Sequence, residues 1–514
     1  MLFNSFAYIF VYLPITFITF YSLAKRNHEY AILFLVIASL FFYGWWNYQY
    51  LLLLSLSILF NYTLGMKILT SIASEKQSNE KLYLIIGVSI NLILLVYFKY
   101  TNFIISELNL YFGTSYNNQN ITLPLGISFF TFTQIAFLID TYHKKAKEYN
   151  IVHYSLFVTY FPHLIAGPVL HHKEMMPQFS DKKIFQINYY NVATGLTLFF
   201  FGLFKKVVLA DNLTCYVTPV FDAASSGENI NTFEAWGASL SYTLQIYFDF
   251  SGYTDMAIGA SKMFGVDLPI NFNSPYKSKN IIEFWRRWHM TLSRFLRDYL
   301  YIPLGGNRRG VFRMHVNLLI TMLLGGLWHG ANWTYVLWGG LHGFYLILNH
   351  VFQKMASTYG LKQLKPFFLN AAISRIITFL AVVFAWVFFR ASSIESGIII
   401  VKGMLGMNGT LIPLKWAEES NHDFLVRWML EHGSKFSSND ILFTGNNEIW
   451  IICIMLVICW FMPNTTEIVL LSQNEKKQFW SWKLNAVWLL FLILISFISI
   501  LFISDLSEFI YFQF

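Results

Sequence analysis

The sequence predicts an all-α membrane protein whose chain crosses the bilayer many times. Of its 514 residues, 56% are hydrophobic, 19% are aromatic and only 12% are charged, whereas a soluble domain carries about 25% charged residues. Apolar runs of nearly membrane-spanning length recur from Phe3 to Phe502, and a helical bundle satisfies its backbone hydrogen bonds inside lipid. We therefore expect one integral membrane domain over residues 1–514.

The apolar runs define the candidate helices in order. The predicted spans are 3–23, 30–46, 48–69, 82–98, 123–140, 151–166, 188–213, 233–250, 313–328, 331–350, 372–390, 449–462 and 485–503. Several are shorter than the roughly 20 residues that a bilayer requires, which favours tilted or re-entrant elements buried in protein. The stretches 162–168 and 251–265 are predicted as such elements.

The most basic stretch of the chain, residues 277–313, predicts the orientation. It carries nine basic residues against Glu283 and Asp298, and cytoplasmic loops of membrane proteins are enriched in Lys and Arg. We expect an interfacial segment over 281–313 on the cytoplasmic side and the loop 391–447 on the periplasmic side. The net charge of +8 follows from the same rule, so no nucleic-acid partner is expected. The three cysteines fit no metal or redox motif.

Residues 281–299 are predicted to form one amphipathic helix lying flat at the membrane surface. At 100° per residue, the apolar side chains fall within one arc of about 100° and the arginines within another. The apolar set is Ile281, Trp285, Trp288, Leu292, Phe295, Leu296 and Tyr299, and the arginines are Arg286, Arg287, Arg294 and Arg297. His289 falls at the border between the two faces. The arginines indicate either contact with lipid headgroups or capture of a phosphate-bearing donor.

His329 is the strongest candidate for a catalytic residue. It lies deep inside an apolar run, where ionisable groups are costly and are therefore functional candidates. Its imidazole can either take a proton from a hydroxyl or accept the acyl group itself, and both roles remain open. The alternative is a core histidine bonded to a backbone carbonyl. The neighbouring Gly325, Gly326 and Gly330 either serve close helix packing or leave room around the ring.

Two further polar residues are predicted beside the histidines. Asp249 lies in an aromatic run and is expected to orient a histidine from outside the reacting centre, with a helix-packing hydrogen bond as its alternative. Asn332 follows His329 closely and is placed in the same supporting set. No metal site is predicted, because the adjacent pair His171-His172 lacks a third ligand.

These residues form a pattern that resembles the membrane-bound O-acyltransferase (MBOAT) family, most closely the branch of the bacterial alginate O-acetyltransferase membrane subunit. The signature runs through Asn280–Ser293, Arg297–Tyr299, Pro303–Gly306 and Leu327–Ala331. Further similar segments are Ala166–Pro168, Met176–Phe179, Phe248–Tyr253 and Tyr511–Phe514. The resemblance implies a ring of transmembrane helices, with re-entrant and interfacial helices, around a central funnel. It also implies that His329 and His289 are the catalytic histidines.

The resemblance and the residues together predict an O-acyltransferase of the bacterial inner membrane. An acyl thioester, acetyl-CoA, is expected to dock at the cytoplasmic side against the four arginines with Trp285 and Trp288, without a metal. The acyl group passes toward hydroxyls of an exported cell-surface polysaccharide, such as alginate, through a periplasmic SGNH-type partner. Two alternatives remain open, namely transfer of D-alanine from a carrier protein and a polytopic transporter with a buried histidine.

Overall fold

A computed structural model of the chain describes residues 1–514 except 74–78, 148–149, 166, 359–370, 413–422, 432, 437–441, 443–446, 471–479, 504–509 and 511–514. Ala166 and Tyr511–Phe514 of the family pattern lie outside the described residues, as does part of the predicted loop 391–447.

Helices form nearly all of the regular structure in the described N-terminal half. They are α1 (Ala7–Ala24), α2 (His28–Gly44), α3 (Gln49–Ala73), α4 (Glu80–Phe112), α5 (Ile127–Tyr142), α6 (Ile151–Thr159), α7 (Phe161–Leu164), α8 (His172–Phe179), α9 (Tyr189–Ser225) and α10 (Thr232–Met263). α1 begins with a π-helical stretch, Ala7–Tyr12, and α9 contains another, Lys205–Ala210.

The described C-terminal half continues this pattern. Its helices are α11 (Ile281–Trp285), α12 (Met290–Leu296), α13 (Val311–His329), α14 (Trp333–Thr358), α15 (Ala371–Arg390), α16 (Ile394–Met404), α17 (Asp423–Glu431), α18 (Asn447–Phe461), α19 (Thr465–Val469) and α20 (Ala486–Leu501). Within the predicted loop 391–447, β1 (Leu411–Ile412) pairs in parallel with β2 (Lys435–Phe436).

The predicted all-α polytopic fold class is confirmed. Among the described residues, six helices are long and apolar enough to cross a membrane, namely α1, α3, α4, α9, α13 and α15. α2, α18 and α20 are equally apolar but shorter. The predicted C-terminal boundaries of α4, α9 and α10 are the least accurate, because polar residues continue each helix beyond its apolar run.

The chain divides into two compact units. The terminal unit comprises Met1–Val207, Phe250–Asn271 and Thr465–Phe514, and the central unit comprises Val208–Asp249 and Phe272–Asn464. The central unit contains α11 to α18, and therefore both predicted catalytic histidines and the whole arginine cluster.

One predicted interruption is wrong, because α10 continues without a break from Thr232 to Met263. The glycines that suggested a break at 251–265 are contact points in the terminal unit. A Cβ atom at Gly252 would lie 2.7 Å from the carbonyl oxygen of Gly202, and one at Gly259 would lie 2.5 Å from that of Gly195. Glycine at these positions permits close approach of α9 and α10 backbones rather than ending a helix.

Candidate active site

A tight hairpin of α13 and α14 positions His329. A Cβ atom at Gly326 would lie 2.2 Å from the carbonyl oxygen of Tyr335, and one at Gly330 would lie 2.1 Å from the Tyr335 ring. These two glycines therefore serve close helix packing rather than leaving room around the imidazole. Gly325 differs, since its nearest neighbour is Cδ1 of Leu296 at 3.1 Å. The close packing fixes the position of His329, which is the last residue of α13.

Aromatic rings enclose the His329 imidazole. The side chain is 4% exposed. Its ring centroid lies 4.9 Å from Trp328, 5.1 Å from Trp338 and 5.2 Å from Phe389, each in an edge-to-face arrangement. Such a setting excludes water and holds the ring in one orientation, which favours a specific proton transfer over general solvation.

The prediction of one amphipathic helix over 281–299 is wrong, because the helix is interrupted in the middle of this segment. α11 ends at Trp285, α12 begins at Met290, and His289 between them adopts a left-handed conformation with φ +42° and ψ +53°. A non-glycine residue pays about 1–2 kcal/mol for that conformation. Strained backbone of this kind clusters at functional sites, where the surrounding structure enforces it.

Arg287 enforces this turn. Its Nη2 forms an ion pair with Glu283 at 2.9 Å, and its Nη1 donates to the carbonyl oxygen of Asn273 at 3.1 Å. The backbone N–H of Asn273 donates in return to the Arg287 carbonyl at 2.9 Å, while the Asn280 side chain caps α11 at the N–H of Glu283. These contacts fix the connection between α11 and α12, so the Arg287 side chain supports the turn and does not line the cavity described below.

His289 lies inside the protein rather than at the border of two faces. Its side chain is fully buried, and this burial lowers the pKa of His289 from 6.5 to about 3. The imidazole is therefore neutral near pH 7. The Trp328 ring approaches both histidines, with centroid distances of 6.4 Å to His289 and 4.9 Å to His329. The two predicted catalytic residues thus share one aromatic neighbour.

The central unit also contains a cavity of about 530 Å³, which is lined by Met290, the neighbour of His289 in sequence, but by neither His289 nor His329. Three of the predicted arginines, Arg286, Arg294 and Arg297, contribute to its wall together with Trp285. The other lining residues are Ile282, Met290, Ser293, Leu296, Tyr301, Leu318, Thr321, Met322, Leu346 and His350. We name it the donor cavity for the role that we propose for it in the next subsection. It combines cationic groups with an apolar interior, as a charged ligand with an apolar arm requires.

The remaining predicted residues occupy different positions. Trp288 is 1% exposed and packs against Phe284 and Trp386 with centroid distances of 5.7 and 4.9 Å, so it belongs to the core and does not line the donor cavity. The Asn332 side chain accepts from the N–H of Thr334 at 3.0 Å and donates to the carbonyl of Ser392 at 2.9 Å, which caps the start of α14. Asp249 is fully buried in α10.

Sequence reasoning missed His342, which is fully buried in α14. The Nε1–H of Trp285 donates to its Nδ1 at 3.3 Å. A signal was present, because Gly339-Gly340-Leu341-His342-Gly343 repeats most of the glycine and histidine pattern around His329. Both segments place an ionisable residue within an apolar run, which marks a functional candidate.

Residues 32–394 match the membrane-bound O-acyltransferase (MBOAT) family. This match spans α2 through the start of α16, including both histidine-bearing segments and the donor cavity. The chain belongs to the MBOAT family. It is accordingly an acyltransferase, and the transporter alternative is set aside.

Individual MBOAT relatives cover most or all of the chain. A peptidoglycan O-acetyltransferase of Helicobacter pylori is 41% identical over 100% of this chain and 98% of its own length. The "Probable alginate O-acetylase AlgI" of Pseudomonas aeruginosa is 43% identical over 77% of this chain and 73% of its own length. A teichoic acid D-alanyltransferase of Streptococcus thermophilus is 28% identical over 53% of this chain and 69% of its own length.

Proposed function

We propose that this MBOAT protein, in the bacterial inner membrane, transfers an acetyl group from cytoplasmic acetyl-CoA toward hydroxyls of an exported glycan. The observation that carries the proposal is the donor cavity, in which Arg286, Arg294 and Arg297 accompany an apolar interior. Guanidinium groups suit the phosphates of coenzyme A, and the apolar walls suit its pantetheine arm. No metal enters the proposed reaction.

Position along the helices links the donor cavity to His329. Leu318, Met322, Gly325 and His329 recur every three or four residues and so share one face of α13. The first two line the donor cavity, and His329 ends the same face. A thioester that enters along this face is directed toward the imidazole.

The chemistry assigned to His329 is general base catalysis. The imidazole removes the proton of the acceptor hydroxyl, the oxygen attacks the thioester carbonyl carbon, and the carbon–sulfur bond breaks. The thiolate takes up the proton from the imidazolium, so His329 is regenerated and the products are an acetyl ester and free coenzyme A. His289, neutral and buried, binds or orients the thioester during this step.

Peptidoglycan is the favoured glycan acceptor. The relative named for peptidoglycan aligns with the whole chain, whereas the relative named for alginate aligns with 77% of it. The glycan is assembled outside the membrane, so we further propose a periplasmic SGNH-type partner that receives the acetyl group and delivers it. Lipids surround the apolar helices.

Cells lacking the gene and complemented with wild type or His329→Ala provide the test of function. The wild type should restore ester-linked acetate on peptidoglycan, and purified wild-type protein should hydrolyse or transfer label from labelled acetyl-CoA. The histidine variant should do neither at equal membrane abundance. Acetate restored on another exported polysaccharide would correct the acceptor. Restored D-alanine ester in place of acetate would overturn the donor assignment.

The direction of transfer is tested by cysteine labelling from outside intact cells. Arg309→Cys, in the basic stretch, should remain unlabelled by a membrane-impermeant maleimide, and Ser434→Cys, in the loop 391–447, should be labelled. Cys215 and Cys453 are exposed and are replaced by serine in the background. Labelling of Arg309→Cys alone would contradict a cytoplasmic donor.

A further inference from the structure

His342 and Trp285 form a buried pair within the central unit. The Nε1–H of Trp285 donates to Nδ1 of His342 at 3.3 Å, and the two rings meet nearly at right angles with centroids 5.2 Å apart. An indole N–H is a donor only, so Nδ1 of His342 acts as the acceptor. The neutral imidazole then carries its proton on Nε2.

Apolar aromatic rings surround this imidazole. It stacks on Phe284 with an angle of 11° between the planes, and its centroid lies 4.9 Å from Trp338. His342 has no exposed surface, and within the described part of the chain its Nε2 has no hydrogen-bond partner. A phenylalanine would fill this space without burying a polar nitrogen, which costs free energy. The hydrogen bond that Nδ1 accepts from Trp285 therefore explains why a histidine occupies this position.

Side-chain contacts connect the pair both to the donor cavity and to His329. Trp285 lines the cavity, and Leu346, one turn beyond His342 on α14, lines it too. The Trp285 ring also lies 5.8 Å from Trp338, whose ring lies 5.1 Å from His329. Any shift of the Trp285 indole consequently alters both the inner wall of the cavity and the aromatic surroundings of the catalytic imidazole.

We propose that His342 is a positioning residue for acyl transfer, which holds the Trp285 indole as the inner wall of the donor cavity and thereby sets where the thioester lies relative to His329. This inference rests on the proposed function. The group does not touch the reacting atoms, and its effect passes through Trp285. A misplacement of about 1 Å in a reacting group lowers turnover by roughly 10²-fold, so loss of this hydrogen bond acts on turnover more than on donor affinity.

The test is a double-mutant cycle with Trp285→Phe, His342→Phe and the double variant, assayed for acetyl transfer from acetyl-CoA. Each single variant should lower kcat about 10-fold or more and change the KM for donor less than threefold. Because His342 acts through Trp285, the double variant should be no slower than the slower single variant. His342→Asn, whose side-chain oxygen can occupy the place of Nδ1, should recover part of the lost turnover.

Matched measurements make the outcomes unambiguous. Trp333→Phe removes another indole near the start of α14 and should leave kcat unchanged. Thermal unfolding of every variant separates a folding defect from a positioning defect. Multiplicative losses in the double variant, or no rescue by His342→Asn in folded protein, would overturn the role of His342. Absence of acetyl transfer by the wild type would instead refute the proposed function itself.

Discussion

Both units of the protein bury histidines among aromatic rings, yet they differ in what adjoins those histidines. In the terminal unit, Nε2 of His163 forms a hydrogen bond with the Phe157 carbonyl at 2.9 Å, and the His172 ring packs 5.3 Å from Phe137. In the central unit, His329 and His289 share Trp328 as an aromatic neighbour, and the same unit contains a cavity lined by three arginines. Burial of a histidine alone therefore does not distinguish a catalytic residue from a packing residue.

The cavities of the two units also differ in charge. A groove of about 340 Å³ in the terminal unit is lined by apolar residues of α1, α9 and α10, as the lateral face of a membrane helix bundle would be. The donor cavity has a similar apolar interior, to which arginines are added. An anionic ligand would lose its hydration in the apolar groove without gaining a charged partner. Of these two cavities, the donor cavity is therefore the better match to the proposed thioester.

Backbone strain separates the units further. Among the described residues, three non-glycine positions have positive φ, namely Lys144, Ser274 and His289. Lys144 is exposed just after α5 ends, where a left-handed residue is a common helix terminator. Ser274 and His289 are buried in the central unit, on either side of the Arg287–Asn273 contacts. Strain that the fold maintains in its interior points to function.

The strongest test of this comparison pairs His329→Ala with His172→Ala. The first should lower acetyl transfer by about 10²–10⁴-fold or more, since it removes the proposed base, while the second should lower thermal stability and leave the rate per folded molecule near that of wild type. Turnover is normalised to folded protein measured by size-exclusion chromatography. A folded His172→Ala protein without activity would place the terminal unit in the reaction.

His289 allows the imidazole and its backbone strain to be separated. His289→Asn and His289→Gly both tolerate the left-handed conformation, whereas His289→Ala does not. All three should lose about 10–10²-fold in turnover at saturating acetyl-CoA, because each lacks the imidazole, and His289→Ala should in addition be less stable by about 1 kcal/mol. A defect that disappears with excess acetyl-CoA would make His289 a donor-binding residue only.

The arginines of the donor cavity should govern donor affinity rather than turnover. Replacing Arg286, Arg294 and Arg297 together by Gln should raise the KM for acetyl-CoA at least about 10-fold at low salt, through loss of charge-assisted contacts with phosphate, and should weaken its salt dependence. Arg308 and Arg309 are exposed and do not line the cavity, so the same change there is the control. If both variants changed the KM for acetyl-CoA equally, the arginines would serve only to orient the protein in the membrane.

Arg287 is not part of this triple variant, because its side chain stabilises the turn between α11 and α12 and does not line the donor cavity. Arg287→Gln removes the ion pair with Glu283 and the bond to Asn273, and should therefore lower stability and kcat together, with donor affinity nearly unchanged. A rise in the KM for acetyl-CoA as large as that of the triple variant would show that Arg287 also contributes to donor binding.

The burial of His289 should also make the stability of the protein depend on pH. The pKa of His289 is lowered from 6.5 to about 3, so between these values the unfolded chain binds a proton that the folded protein does not, and stability falls as pH falls. Between pH 7 and pH 5 this contribution amounts to about 2 kcal/mol. The wild type should lose more thermal stability than His289→Asn over that interval. Equal losses would show that another group determines the acid sensitivity.

Local sequence determined much about this protein. Apolar runs of near-spanning length are sufficient to place α1, α3, α13 and α15, because lipid demands helices with internally satisfied backbones. His329 was identifiable for a related reason, since an ionisable residue inside such a run is costly unless it is used. The density of Arg and Lys over 277–313 likewise predicts an orientation without any knowledge of contacts.

Contacts between distant segments decided the rest. The periodicity of 281–299 fits one continuous helix, but the Arg287 bonds to Asn273 and the burial of His289 break it. The sequence alone does not distinguish Gly252 from a helix-breaking glycine. Its close contact with α9 shows that it serves helix packing. The role proposed for His342 depends on its hydrogen bond with Trp285, which is 57 residues away in sequence. Helical periodicity reports which residues share a face, whereas hydrogen-bond partners and cavities depend on the elements that the fold brings beside that face.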